Sequence, residues 1–297
     1  LFALVIKHKR IFSSLITLLA VLGLLTRAGA EQPTVVKLDF DYIRQGTAGV
    51  ILLTGPDIAA AVASALDRTY PFFPTSQGFV CLLAVPMEQR IKDYPLQITV
   101  TRRNGSTATW EGTLKVASGQ FIAEDPTQLI MPANKLNLLR DDVQQSEDTR
   151  LLNTYSLVTP VRYWEGMFTP PVNGPLSSPF GSFRTYNGTV TRRHTGYDFR
   201  APAGTPVLAS ASGRVVLSRP LDIHGNNVVI DHGWGIYSEY AHLSERYVVP
   251  GQFVLQGDVI GLSGNTGRST GPHVHWEIAV NGVWVNPLTF MQTKLPN

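Results

Sequence analysis

Two histidines one residue apart, His273 and His275, open a run that reads as a β-strand, HVHWEIAV. In a strand, residues i and i+2 leave the same face, so both imidazoles point to one place while Val274 points to the other side. Two neutral imidazoles converging in this way can begin a zinc site, and alone they equally fit a solvated strand face. A second element is HTGYD, where His194 and Asp198 lie four residues apart and share a face in a helix or a strand. Gly196 between them is expected to let the backbone bend so that both reach one ion, and a surface His–Asp pair is the plain alternative. Catalytic zinc takes three protein ligands and keeps a fourth position open. One histidine of the H-x-H pair, with His194 and Asp198, supplies that set. The other is left beside the open position, and His242, in YAHLS, is a further base if the fold brings it in. Six of the seven histidines lie from residue 194 onward, which points to one site.

The elements that must position these residues are mostly strands. The 297-residue chain is 43% hydrophobic and 16% charged, with 26 glycines and 20 prolines, a composition of many turns and short strands. Residues 31–116 are expected to form a β-sandwich-like domain. TVVKLDFDYI and AGVILLTG are strand candidates, and Asn104-Gly105 marks a hairpin turn. DIAAAVASALDR fits either a short helix or a pair of alanine-rich strands. Within a helical and linker segment, 117–172, apolar residues at 136, 138, 139, 143, 151 and 152 predict a helix over 135–152, packed between the domains. TPPVNGPLSSPFG, 169–181, with four prolines and two glycines, is expected to be a domain boundary or a stiff connection. Residues 173–297 read as short strands alternating with glycine-bearing loops, an antiparallel β-domain expected to form its metal site without residues 31–160.

Lys7, Lys9 and Arg10, the apolar run Ile11 to Leu25 and Ala28-Gly29-Ala30 predict an export signal over 1–30, with an uncleaved membrane anchor as the alternative. Export places the protein in the cell envelope, periplasmic or extracellular. The net charge of +3 comes from this segment. Its four basic residues removed, 21 basic residues face 22 acidic ones, which gives no support for a nucleic-acid partner. Cys81, the only cysteine, excludes an intramolecular disulfide and reads as a buried small hydrophobe in FVCLLAV.

Together HTGYD, YAHLS and GNTGRSTGPHVHWEI resemble the lysostaphin-type (LytM-domain) zinc metallopeptidases, which cut peptide bonds in bacterial cell-wall peptidoglycan. The similarity runs from SPFG at 178–181 through APAGTPVLASASGRVV, GNNVVIDHGWGIYSEYAHLS and VLQGDVIGLSG to NGVWVNP at 281–287, about 120 residues with three motifs in the family's order. The resemblance implies that His194, Asp198 and His275 hold one zinc, that His242 and His273 are catalytic, and that the fold is mostly β with a LytM-type catalytic domain. It also implies a function: hydrolysis of peptidoglycan cross-links or stem peptides by a metal-activated water. A non-catalytic peptidoglycan-binding regulator or activator of other wall hydrolases on the same fold is the main alternative, although all five positions are filled. A zinc hydrolase acting on a free peptide or another exported protein is a third. The N-terminal β-domain resembles the immunoglobulin-like module that precedes some family members and offers a surface for the wall or a protein partner.

Several residues remain. His232 is expected to be structural at a strand end, His224 solvent-facing in a loop, and Tyr186 a loop aromatic unless its hydroxyl lines the cleft. Glu277, two past His275, is either a partner behind the metal ligand or a surface carboxylate. The glycines of GNTGRSTG lack the features of a phosphate loop and are expected to allow tight backbone passage along a substrate groove.

Overall fold

A computed structural model describes residues 34–121 and 127–296; the predicted export segment lies outside them. Eight strands make the N-terminal unit: β1 (Val35–Leu38), β2 (Ile43–Arg44), β3 (Thr47–Thr54), β4 (Ile58–Ala65), β5 (Arg68–Thr75), β6 (Gly78–Val85), β7 (Asp93–Arg102) and β8 (Thr107–Ala117). They pair in the order β1-β3-β6-β5-β4-β7-β8-β2. The alanine-rich stretch is strand. Leu66 and Asp67, both left-handed at φ 54° and 57°, turn β4 into β5 as a tight hairpin. The Asn104-Gly105 turn joins β7 and β8 as expected, with the Asn104 side chain accepting from the Ser106 amide at 2.9 Å.

The period of two along β6 explains how this unit meets the rest of the chain. Cys81, Leu83 and Val85 face the N-terminal core with Ile51, Tyr70 and Ile98. Val80, Leu82 and Ala84 face the other way, into a core shared with Trp164, Phe168 and Trp234 of the later chain. Phe73 stacks on Trp234 with ring centroids 5.5 Å apart, and Asn281 donates to the Leu82 carbonyl at 2.8 Å. Trp164 and Phe168, just before the connection at 169–181, fill the seam, while the connection itself is buried only at Pro171, Val172, Phe180 and Gly181 and is exposed at Thr169, Pro170, Asn173 and Pro175 to Ser177. Removing 31–160 would strip one wall from this core, so independent folding of the metal domain does not follow from its motifs.

The second unit follows β9 (Thr127–Leu129), a 3-10 turn (Ala133–Leu139) and α1 (Asp141–Tyr155). Its strands are β10 (Leu176–Ser178), β11 (Phe183–Tyr186), β12 (Val190–Arg193), β13 (Tyr197–Arg200), β14 (Pro206–Leu208), β15 (Gly213–Pro220), β16 (Asn226–Gly233), β17 (Ile236–Leu243), β18 (Glu245–Arg246), β19 (Phe253–Val254), β20 (Val259–Leu262), β21 (His273–Val280) and β22 (Val283–Val285), before a short α2 (Pro287–Met291). The main sheet runs β10-β13-β21-β17-β16-β15-β19, with β22 beside β21. Helix α1 differs from expectation in place as well as in bounds. It lies on this sheet, with Leu151 and Tyr155 packed against Leu217, Val229, Tyr237 and Ala279, rather than between the two units.

Candidate active site

Strand β21 is buried on both faces. Val274, Trp276, Ile278 and Val280 fill the shared core, which leaves His273, His275 and Glu277 on the opposite face. The register places Asp198 of β13 directly across from His275 on one side and Ala241 of β17 on the other. His194 precedes β13, its amide donating to the Ser182 carbonyl and its own carbonyl accepting from Gly181.

Gly196 serves packing rather than a bend. A Cβ there would lie 2.4 Å from the Trp276 carbonyl oxygen and 2.9 Å from the His275 ring, so only glycine lets this segment close on β21.

His242 requires a different device. Alternation along β17 would send 236, 238, 240 and 242 to one face, and Ile236 and Tyr240 do enter the shared core. At His242 the backbone is left-handed, φ 61°, and the phase changes: Leu243 enters the core instead. The His242 ring then faces the site, with centroids 4.7 Å from His273 and 5.9 Å from His275. A non-glycine residue in this region costs on the order of 1–2 kcal/mol, a strain that here aims a side chain.

Hydrogen bonds assign the tautomers. His194 donates from Nδ1 to the Pro179 carbonyl at 2.9 Å, which leaves its Nε2 a lone pair. His275 donates from Nε2 to Glu277 at 2.9 Å, which leaves its Nδ1 a lone pair. Those two nitrogens are 2.9 Å apart, and Asp198 Oδ1 lies 3.1 Å from the first and 2.9 Å from the second. In these tautomers three acceptor atoms converge; burial works against a charge on His275, but Asp198 and Glu277 outweigh it and raise the ring above its usual value. Such a set fits a cation, and a tetrahedral zinc with bonds of about 2.0–2.1 Å spaces its donors by roughly 3.3 Å. Arg184 partly answers the same demand: its guanidinium donates to His194 Nε2 at 2.8 Å and to Asp198 Oδ2.

The charges follow from this packing. Burial and the nearby Arg184 bring His194 down to about 4. Burial opposes ionisation of Asp198, but Arg184 and the imidazoles outweigh it and hold the carboxyl well below the usual range. His242 and His273 are both held below the usual histidine value, chiefly by burial. Each donates from Nδ1 to a backbone carbonyl, Thr266 and Gly271 respectively, both at 2.8 Å. Their Nε2 atoms are left as free bases, and that of His273 lies 3.7 Å from Asp198 Oδ2 with no hydrogen-bond partner among the described residues.

All five residues singled out from the motifs therefore meet in one place. Glu277 stands behind His275 and also accepts from Thr195 and from the Trp284 indole at 2.5 Å. His232 is structural as expected, bonded to Ser212 and Ser238 and brought down to about 4 by burial. Two expectations fail. His224 is 6% exposed rather than solvent-facing, because Glu147 of α1 accepts from its ring at 2.5 Å and from the amides of Ile223 and His224 at 2.9 Å. Tyr186 is 3% exposed in β11 rather than a loop aromatic, under the Arg268 guanidinium at 5.0 Å, and it lines the cleft, as its alternative reading had it. Arg184 and Glu147 were missed altogether. Arg184 follows SPFG in a stretch without a chemical motif, and Glu147 acts from a helix far away in sequence.

Residues 192–287 match the profile of peptidase family M23. The chain carries a C-terminal M23 domain. Among curated relatives, the peptidoglycan DD-endopeptidase ShyA of Vibrio cholerae is 46% identical over 124 residues, 41% of this chain and 28% of the relative. DD-carboxypeptidase/endopeptidase Mpg of Neisseria meningitidis is 47% identical over 121 residues, 40% of this chain and 28% of the relative. Peptidoglycan DD-endopeptidase ShyB of Vibrio cholerae is 40% identical over 187 residues, 62% of this chain and 38% of the relative. The matched stretches thus span well under half of each relative's length. The likeness to known proteins extends further in three dimensions. A solved Pseudomonas aeruginosa structure, described as an M23 peptidase candidate, aligns over 86% of this chain and 97% of its own at a TM-score of 0.63 and 27% identity. An alignment over 86% of the chain reaches well beyond residues 192–287.

Proposed function

We propose that this chain is a zinc-dependent endopeptidase acting on peptide cross-links or stem peptides of bacterial peptidoglycan, exported to the cell envelope. The observation that carries this reading is the convergence of His194 Nε2, Asp198 Oδ1 and His275 Nδ1 beside two imidazoles whose free nitrogens are Nε2. His194 Nε2, Asp198 Oδ1 and His275 Nδ1 would hold one zinc. When bound, the ion supplies Lewis acidity to the scissile carbonyl and to the attacking water.

The remaining chemistry belongs to the chain. Backbone carbonyls keep the Nδ1 protons of His242 and His273 in place, so either Nε2 can accept the proton of the attacking water. The same proton then serves the leaving amine. The second imidazole steadies the tetrahedral oxyanion, and Arg184 is a permanent cation within reach of the same ligands. Glu277 holds the His275 ring in the tautomer that presents Nδ1. The relatives named for peptidoglycan endopeptidase activity support this substrate class. The N-terminal β-unit, packed into the shared core, would offer the surface for the wall or a partner protein.

The test is mass spectrometry of purified peptidoglycan after digestion with zinc-loaded protein, beside a chelated sample. New peptide termini that need metal support the proposal. Intact peptidoglycan with zinc bound would count for the non-catalytic alternative.

A further inference from the structure

Beside the metal ligands, a cleft of about 320 Å³ is walled by four guanidinium groups, those of Arg184, Arg192, Arg193 and Arg268. Their partners leave a surplus of positive charge. Arg184 spends its contacts on Asp198 and His194, the residues expected to hold the metal. Arg192 pairs with Asp141 at the exposed rim. Arg193 lies over the rings of Phe121 and Phe183, at 4.3 and 4.8 Å, and meets no carboxylate among the described residues. Arg268 stacks on Tyr186 and donates to the neutral Gln144 amide oxygen at 2.6 Å. The Nε donors of Arg192 and Arg193 are buried and have no hydrogen-bond partner among the described residues. The carboxylates lining the same cleft are Glu88 and Asp148, and Asp148 accepts from Gln144. A second cleft, on the His273 side, also has Arg184 and Arg268 in its wall, so these two span the groove.

Guanidinium groups that meet no carboxylate among the described residues, here Arg193 and Arg268, are a receptor for a planar anion, because their forked N–H groups match the two oxygens of a carboxylate. We infer that the cleft recognises a free carboxylate on the substrate close to the scissile bond, with Arg268 as the specificity-determining residue. The inference rests on the endopeptidase reading and narrows it. A stem peptide carries free carboxylates beside its amide bonds, whereas a bridge made only of glycine carries none. A charge-assisted, bidentate contact of this kind corresponds to a preference of about tenfold or more.

The experiment uses two synthetic cross-linked stem peptides that differ only in a carboxylate or a carboxamide beside the scissile bond. Calorimetry on the zinc-loaded His242→Ala chain reads their binding whether or not they are cut. The carboxylate peptide should bind about tenfold or more tightly, and adding Arg268→Gln should bring the ratio to within about twofold while zinc content stays at one. Arg268→Lys, which keeps the charge and loses the fork, should fall between. If Arg268→Gln disturbs folding by circular dichroism, the Arg192→Gln/Arg193→Gln pair reads the same ratio. Equal binding of the two peptides, no binding of either, or a preference untouched by these substitutions would overturn the inference. Preferential binding with cleavage of neither peptide by the intact zinc-loaded chain would instead sink the endopeptidase reading and leave the carboxylate site standing.

Discussion

Removing the Glu147 carboxylate tests how α1 is tied to the groove. Glu147 is 4% exposed and its two oxygens accept three hydrogen bonds, from the amides of Ile223 and His224 and from the His224 ring. Glu147→Ala leaves those donors buried beside Glu239 and Glu277, which lie 3.9 and 3.8 Å from His224 Nε2. Breaking one partner of a buried pair costs about 3–5 kcal/mol. Glu147→Gln keeps one acceptor and should lose roughly half of that. The pH dependence has a sign on each side. Burial works against the Glu147 charge, but the His224 ring and the two amides outweigh it and bring the carboxyl down to about 2. Its contribution is therefore present above the ordinary carboxylate range and is lost as pH falls toward that value. Burial likewise opposes the His224 charge, while Glu239, Glu147 and Glu277 outweigh it and hold the ring well above its usual value. That contribution is full below the ordinary histidine range and is lost as pH rises through the raised value. The stability gap between wild type and Glu147→Ala, read by urea unfolding, should be widest between about pH 5 and 6.5. Zinc content of the folded variant should not change. A gap below about 1 kcal/mol at pH 6 would refute the anchoring role.

Four further substitutions or probes follow from the geometry. His275→Ala should lose both zinc and activity, while His242→Ala should keep zinc and lose about 10²–10⁴-fold in turnover; a fully active His242→Ala enzyme would remove it from the mechanism. Gly196→Ala places a Cβ 2.4 Å from the Trp276 carbonyl, so it should part β13 from β21 and weaken zinc binding, and unaltered zinc affinity by competitive chelation would contradict the close-packing argument. Cys81 is fully buried and its thiol is pushed up by burial, so it should react with a thiol reagent only at the rate of unfolding, and rapid labelling of the native protein would show the N-terminal core to be open.

The site was legible in the sequence where chemistry follows local period. His273 and His275 share a face because a strand alternates, and residues 173–297 do form short strands, as their texture implies. What local pattern could not carry is the phase change at His242, which depends on one left-handed residue, and the burial of His224, which depends on a carboxylate supplied by a helix 77 positions earlier. The position of α1 was misjudged for a related reason. Its apolar residues identify a helix, but Leu151 and Tyr155 find their partners on β15–β17 and β21, a tertiary choice invisible to periodicity. The shared core was hidden as well: FVCLLAV is apolar on both faces, and only the fold shows that the second face meets Trp164 and Trp234.

The most direct test of the central claim is a zinc titration of metal-free protein, followed by both bound metal and release of peptides from peptidoglycan. Activity should rise linearly and stop at one zinc per chain in the wild type, and neither binding nor activity should appear in His275→Ala. Peptide release by the metal-free chain, or stoichiometric zinc in His275→Ala, would contradict the account.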